Sequence, residues 1–202
     1  MIKKTTTLLL ILLLSGCFAS DENRTKPKTT PTKETVPTQT TQSLFSLKTI
    51  QGETLHLNEL KEGFQFQEFK DKAVLFVFFG YKCPPCLREI PELIALQNKN
   101  YPDLEIVAME VQGLSEDQLQ AFAKKKGMNY HLIAGESHRA FIDYIIQRAN
   151  WRGSIPFLLG FDKSGTVQIV HIGGVTQSQF QKIYTALTQS KTSSSDQNNS
   201  KK

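Results

Sequence analysis

A continuous apolar run, Ala73 to Phe79 (AVLFVFF), is followed closely by the segment Cys83 to Cys86 (CPPC). A run of this length is typical of a strand that is buried on both faces near the centre of an α/β sheet. From the CPPC segment to about Lys99, apolar residues recur at helical spacing, and proline suits the first turn of a helix. The pattern therefore predicts a strand, a short turn that carries two cysteines, and a helix.

The rest of the chain alternates strand and helix patterns early and closes with an antiparallel hairpin and a helix. This order predicts an α/β fold with a mixed sheet and helices on both of its faces. We expect a hairpin over 46–57, a connection over 60–69, strands over 104–111, 130–133, 157–161 and 166–172, and helices over 115–126, 138–148 and 176–187.

Two cysteines at positions i and i+3 can close a disulfide across one turn when the first lies at a helix start. The unpaired N–H groups and the dipole of the helix start stabilise a thiolate, which is the attacking species in disulfide exchange. Cys83 is therefore expected to attack, and Cys86, one turn inside the helix, to resolve the mixed disulfide. Pro84 and Pro85 suit the first turn, but they also remove N–H donors that would stabilise the thiolate.

Two other interpretations of the CPPC segment are weaker. A zinc site needs two further ligands at suitable spacing, and the chain has no second CxxC while its four histidines are scattered. A purely structural disulfide across one turn would restrain the unfolded chain little. We therefore expect no metal and no cofactor apart from the redox-active disulfide itself.

The stretch AVLFVFFGYKCPPCLREIPELIAL resembles the active-site region of the exported TlpA/ResA/CcmG branch of the thioredoxin superfamily. The resemblance extends over most of 44–189 and implies a thioredoxin-like fold with an N-terminal β-hairpin and a central insertion, 104–126. It implies that Cys83 is the nucleophile and Cys86 the resolving thiol. Glu89 matches the acidic residue of the CxxCxxExP pattern and is expected to move protons to and from the buried thiol. A solvated helix glutamate is the alternative for this position.

The resemblance also assigns residues around the cysteine pair. It implies that Ile155–Pro156 is a cis bond that lies beside the disulfide and helps to bind the substrate backbone. The chain departs from the family at Lys82, where a tryptophan is usual, and a cation beside Cys83 should favour its thiolate. Val77 occupies the position of the buried aspartate of cytoplasmic thioredoxins, which makes a glutamate in the helix the nearer candidate for proton transfer.

The N-terminal region has the pattern of an export signal. Two lysines are followed by an apolar run of seven residues, Leu8 to Leu14, and the segment Leu14-Ser15-Gly16-Cys17 at its end resembles a bacterial lipobox. We expect a lipoprotein signal peptide at 1–16, a lipidated Cys17 with a disordered polar tether over 17–43, one domain over 44–189, and a disordered tail over 190–202. An ordinary signal peptide with an incidental cysteine is the alternative. A lipid on Cys17 would leave the other two of the three cysteines as one pair.

The net charge of +5 comes from the two ends of the chain. Residues 1–43 carry six basic and three acidic groups, and residues 190–202 carry three and one, so 44–189 holds 15 of each sign. A neutral domain gives no support to a nucleic-acid surface.

Together these features predict a membrane-anchored extracytoplasmic thiol–disulfide oxidoreductase, a monomer in the periplasm or at the cell surface, held by lipid to an inner or outer bacterial membrane. We expect it to reduce disulfides of exported proteins, with apocytochrome c before haem attachment as one possible target, and to receive electrons from a membrane reductase. One alternative is an oxidant that introduces disulfides. Another is an SCO-like copper chaperone, a class that uses CxxxC and a distant histidine, for which only His171 or His138 is available.

Overall fold

The structure, a computed structural model, describes residues 44–189. These residues form eight strands, four α-helices and two short 3₁₀ turns, Gln67–Phe69 and Gly135–His138. The strands are β1 (Phe45–Lys48), β2 (Thr54–Leu60), β3 (Gly63–Phe66), β4 (Ala73–Phe79), β5 (Leu104–Glu110), β6 (His131–Ala134), β7 (Phe157–Phe161) and β8 (Val167–Ile172). The helices are α1 (Pro84–Gln97), α2 (Glu116–Lys126), α3 (Arg139–Arg148) and α4 (Gln177–Thr188).

The larger sheet has five strands in the order β6-β5-β4-β7-β8. β4 and β5 are parallel, as are β5 and β6, whereas β7 is antiparallel to β4 and β8 is antiparallel to β7. All seven residues of β4 are buried, as the apolar run predicts for a central strand. The predicted mixed α/β fold is confirmed.

The N-terminal strands form a second, antiparallel sheet in the order β1-β2-β3. The predicted hairpin corresponds to β1 and β2, but the prediction of a plain connection over 60–69 is wrong. β3 pairs with β2, with Leu57 opposite Phe66, and it buries Phe64 and Phe66. Four residues offer too little alternation to indicate a strand before its partner is known.

Two hydrophobic cores cover the two faces of the five-stranded sheet. β4 contributes alternate residues to them, because successive side chains of a strand point to opposite faces. Leu75 and Val77 belong to the core that also holds both cysteines and the buried faces of α1, α2 and α4. Phe76 and Phe78 belong to the core beneath α3 and the three-stranded sheet. The cysteine pair therefore follows a fully buried central strand and lies against the first core.

The helix starts follow local signals. Ser115 caps α2 by accepting a hydrogen bond from the Gln118 N–H, and the Gln118 side chain accepts from the Ser115 N–H, which is the predicted capping box. α2 ends at Gly127, whose φ of 69° is left-handed and suits glycine. No helix within 44–189 combines the length and the apolar character that crossing a membrane requires.

Candidate active site

Cys83 and Cys86 form a disulfide at the start of α1. Cys83 is the N-cap residue, in an extended conformation, and its Sγ accepts a hydrogen bond of 3.3 Å from the Cys86 N–H. Cys83 keeps 7% of its surface exposed, whereas Cys86 keeps 1%. The first sulfur is thus the more accessible to a partner, and the helix N-terminus supplies it with an N–H donor, as expected for an attacking thiol.

The Ile155–Pro156 peptide bond is cis, the geometry that the family resemblance implies. The Ile155 carbonyl oxygen lies 3.7 Å from Cys83 Sγ, so this bond lies directly beside the disulfide. The Pro156 carbonyl oxygen accepts a hydrogen bond of 2.9 Å from the Gly173 N–H, which connects β7 to the end of β8. The role of this segment in substrate binding stays a prediction.

Glu89 is buried, with 3% of its surface exposed, so its interpretation as a solvated helix residue is wrong. Its Oε1 accepts a hydrogen bond of 2.9 Å from the Val175 N–H, in the turn between β8 and α4. Burial raises the pKa of Glu89 to about 7, and the Val175 N–H opposes part of this rise. Glu89 can therefore bind and release a proton near neutral pH.

Glu89 also lines an open cleft between the first turns of α1 and the β8–α4 turn. The cleft has a volume of about 390 Å³, and its other lining residues are Pro85, Arg88, Glu92, Gly174, Val175 and Thr176. A side chain that is buried and still lines a cleft can exchange protons with solvent.

Tyr130 lies in the same core as the two cysteines and is 3% exposed. Within the described part of the chain its hydroxyl group has no hydrogen-bond partner. Burial raises the pKa of Tyr130, and the negative charge of Glu89 adds to this rise. Sequence reasoning missed Tyr130 because a tyrosine in a short apolar strand has the pattern of an ordinary core residue.

Lys82, which immediately precedes Cys83, is exposed. Its Nζ lies 4.9 Å from the centre of the Tyr81 ring, and interaction with the Tyr81 side chain raises the pKa of Lys82. The lysine is therefore a cation next to the disulfide, as the sequence requires, but its contact is with the tyrosine ring. Its effect on the Cys83 thiolate stays a prediction.

Trp151, the only tryptophan of the chain, supports the segment before the cis bond. It is buried and stacks on Phe157 with 4.8 Å between ring centres, and its Nε1 donates a hydrogen bond of 2.7 Å to the Ser154 carbonyl. The indole thus holds the backbone just ahead of Ile155 against the core.

Sequence reasoning also missed Glu110, the last residue of β5. It is fully buried, and its carboxylate accepts hydrogen bonds from four backbone N–H groups, one of them in the turn before Cys83. The only sign in the sequence is a charged residue directly after the apolar run 106–109.

Residues 44–189 contain no group of three or more histidine, cysteine or acidic side chains that could hold a metal ion. His171, one candidate ligand of the copper alternative, lies in β8 opposite Leu158. His138, the other candidate, accepts a hydrogen bond of 3.2 Å from the Lys48 N–H. Cys17, the proposed lipidation site, lies outside the described residues.

A sequence model of the AhpC/TSA family matches residues 39–170, more than half of the chain. The chain belongs to this family. Among curated relatives, the thioredoxin-like protein YneN of Bacillus subtilis is 29% identical over 139 residues, which cover 68% of this chain and 72% of YneN. The thiol–disulfide oxidoreductase ResA of Halalkalibacterium halodurans is 27% identical over 140 residues, which cover 69% of this chain and 70% of ResA.

Solved structures share the thioredoxin-like fold. A thiol:disulfide interchange protein of the thioredoxin family from Chlorobium tepidum is 25% identical and superimposes with a TM-score of 0.56, covering 71% of this chain and 92% of that one. The predicted resemblance to the TlpA/ResA/CcmG branch is confirmed. With its fold, its family and a cysteine pair at a helix start, the protein is a thioredoxin-like thiol–disulfide oxidoreductase.

Proposed function

We propose that this protein is a lipid-anchored extracytoplasmic enzyme that reduces disulfides of exported proteins. The observation that carries the proposal is the Cys83–Cys86 disulfide, which lies at the N-terminus of α1 beside the cis Ile155–Pro156 bond. Direction and location are supported by the resemblance to the exported TlpA/ResA/CcmG branch. Apocytochrome c before haem attachment is one proposed target.

The reaction starts from the dithiol form. The Cys83 thiolate attacks one sulfur of the target disulfide, forms a mixed disulfide, and the second target sulfur leaves as a thiolate that takes up a proton. Cys86 then loses its proton and attacks Cys83 Sγ, which releases the first target sulfur as a second thiol. Two electrons have passed to the target, and a membrane reductase restores the dithiol by the same exchange in reverse.

Glu89 is the proposed base for the second step. Cys86 is 1% exposed, so water has little access to its thiol proton. Glu89 is three residues further along α1, on the same helix face, and its pKa of about 7 suits a group that takes up and returns a proton at neutral pH. The cleft at Glu89 connects this carboxyl group to solvent.

Ile155 and Pro156 are proposed to bind the backbone of the target. The Ile155 carbonyl lies beside Cys83, the more exposed of the two sulfurs, where an extended target segment would have to pass. Lys82 precedes the cysteine pair and Pro84 and Pro85 lie between the two cysteines; all three are proposed to complete the surface that a partner would meet.

Membrane attachment is proposed through a lipid on Cys17. The support is the lipobox-like segment at 14–17 and the polar stretch between Cys17 and the domain. At full extension the 26 residues of 18–43 would reach about 90 Å, enough for the domain to search a wide zone above its membrane. Replacing Cys17 by serine should release the protein from the membrane fraction without changing the activity of the domain.

The decisive measurement is the reduction potential of the Cys83–Cys86 pair. A value near that of thioredoxin, about −270 mV, supports a reductant, whereas a value near that of DsbA, about −120 mV, would make the protein an oxidant. Wild type should reduce insulin with dithiothreitol as the electron source, and Cys83→Ser should not. Cys86→Ser should retain attack by Cys83 and accumulate the mixed disulfide, which identifies the target.

A further inference from the structure

Glu110, the last residue of β5, and Gln112, in the loop that follows, both bind the turn that precedes the redox cysteines. Glu110 is fully buried, and both of its oxygens are occupied. Oε1 accepts from the N–H groups of Tyr81 (3.3 Å) and Gln112 (2.9 Å). Oε2 accepts from the N–H groups of Gly113 (3.1 Å) and Leu114 (2.9 Å). One carboxylate thus joins the turn before Cys83 to the loop that leads into α2.

Gln112 makes the second connection. Its side-chain Oε1 accepts a hydrogen bond of 2.9 Å from the Lys82 N–H. The side chain lies across Gly80, where an added Cβ would be 2.3 Å from Gln112 Cδ. Glycine at position 80 therefore makes the room that Gln112 needs to reach the turn.

These contacts hold the two backbone N–H groups immediately before Cys83. The Cys83 N–H itself donates to the Gly80 carbonyl at 3.1 Å, and this hydrogen bond joins the two ends of the turn over 80–83. The position of the Cys83 backbone decides whether its sulfur can receive the Cys86 N–H at the start of α1. Movement of the turn would take the sulfur away from the group that stabilises its thiolate.

We infer that Glu110 and Gln112 are positioning residues that keep the Cys83 sulfur on the N-terminus of α1. This inference rests on the proposed function, since the position of the sulfur matters when Cys83 is the attacking thiol. Three of the four N–H groups on Glu110 belong to its own loop, so Glu110 also supports that loop. The Gln112 side chain accepts its hydrogen bond from Lys82, in the turn before Cys83, so a substitution at Gln112 tests the position of this turn more directly than one at Glu110.

The test compares Gln112→Ala with wild type in the reduced full-length protein. Alkylation of Cys83 by iodoacetamide is followed against pH, with peptide mass spectrometry to separate Cys83 from the other cysteines. The midpoint of the alkylation profile should rise by about 0.5 to 1 pH unit, because the variant loses the hydrogen bond between Gln112 and Lys82 that helps to position the Cys83 sulfur. Alkylation at pH 7 should slow by about threefold to tenfold.

Gly80→Ala provides an independent route to the same result. Its Cβ would displace the Gln112 side chain and break the bond to Lys82, so the variant should resemble Gln112→Ala. The double variant should shift the midpoint no further than either single one, since both remove the same contact. Additive shifts in the double variant would overturn the inference.

Ser115→Ala is the matched control. It removes the cap of α2 close to the same loop, but Ser115 makes no hydrogen bond to the redox turn. Its urea midpoint should fall while its Cys83 alkylation profile stays that of wild type. If Gln112→Ala behaves in the same way, Gln112 has a structural role alone and the inference is wrong.

Glu110→Gln keeps the size of the side chain but turns an amide group toward two N–H donors. Its alkylation midpoint should shift further than that of Gln112→Ala. If this buried variant does not fold, Gln112→Ala at its exposed position still decides the question. The alkylation profile needs no substrate protein, so failure of insulin reduction in wild type would refute the proposed function separately.

Discussion

Replacing Glu89 by glutamine should remove a large pH dependence of stability from the oxidised protein. Burial raises the pKa of Glu89 from 4.5 to about 7. The folded protein therefore keeps this proton over a pH range in which the unfolded chain has already lost it. The free energy of unfolding of wild type should accordingly fall as the pH rises from 4.5 to about 7, and then level off. Glutamine does not titrate, so the variant lacks this contribution.

The magnitude follows from the pKa values. A rise from 4.5 to about 7 corresponds to about 3 kcal/mol, since each unit is worth about 1.4 kcal/mol. The difference in free energy of unfolding between wild type and Glu89→Gln should change by this amount between acidic and mildly alkaline pH. The absolute stability of the variant depends also on how its amide N–H groups are satisfied, and it is the difference in slope that tests the reasoning.

Urea unfolding of the oxidised proteins, followed by the fluorescence of Trp151, measures this difference. Trp151 is the only tryptophan, and it is buried against Phe157, so its emission reports loss of the core. Glu92→Gln removes a half-buried carboxylate from the same helix and serves as the control for loss of charge alone. The raised pKa of Glu89 would be refuted if the free energies of unfolding of wild type and Glu89→Gln differed by the same amount at every pH. It would also be refuted if this difference varied with pH no more than the difference between wild type and Glu92→Gln.

Three further predictions concern stability. The hydrogen bond to Glu105 is the largest of the effects that raise the pKa of His131 above 6.5 in the folded protein. Protonated His131 therefore stabilises the fold fully below pH 6.5, and this stabilisation is lost as the pH rises through the raised pKa of the folded state. His131→Gln should show a weaker decline over this range in urea titrations. Tyr130→Phe removes a buried hydroxyl group without a partner in 44–189 and should stabilise the protein by up to about 1 kcal/mol in thermal unfolding. Gly127→Ala should cost about 1 kcal/mol in urea unfolding, because φ at this position is 69°.

Features that depend on neighbouring residues could be predicted from the sequence. The apolar composition of β4 is sufficient to indicate a buried central strand, and two prolines after Cys83 indicate a helix start at that point. The Ser115 and Gln118 pair predicts the start of α2 by the same local logic. These elements place the cysteine pair at the end of a central strand before any tertiary contact is considered.

Features that depend on distant contacts could not be predicted in this way. Glu89 is buried, and its hydrogen-bond partner Val175 lies 86 positions away in the sequence. The residue pattern around Glu89 alone left a solvated helix position equally open. Glu110 contacts Tyr81 across 29 positions, and β3 is a strand because β2 lies beside it. Each of these outcomes requires knowledge of which loops meet at the end of the sheet.

The two buried glutamates near the cysteine pair show how the number of backbone donors separates two tasks. Burial raises the pKa of Glu89 to about 7, and because this carboxyl group accepts only one backbone N–H and lines an open cleft, a proton can reach it. Glu110 accepts four backbone N–H groups, which occupy both oxygens and fix the turn before Cys83. Moving a proton requires a free site on the carboxyl group, whereas holding a backbone requires that such sites be filled. One glutamate is therefore suited to serve the thiol of Cys86, and the other to hold the sulfur of Cys83 in place.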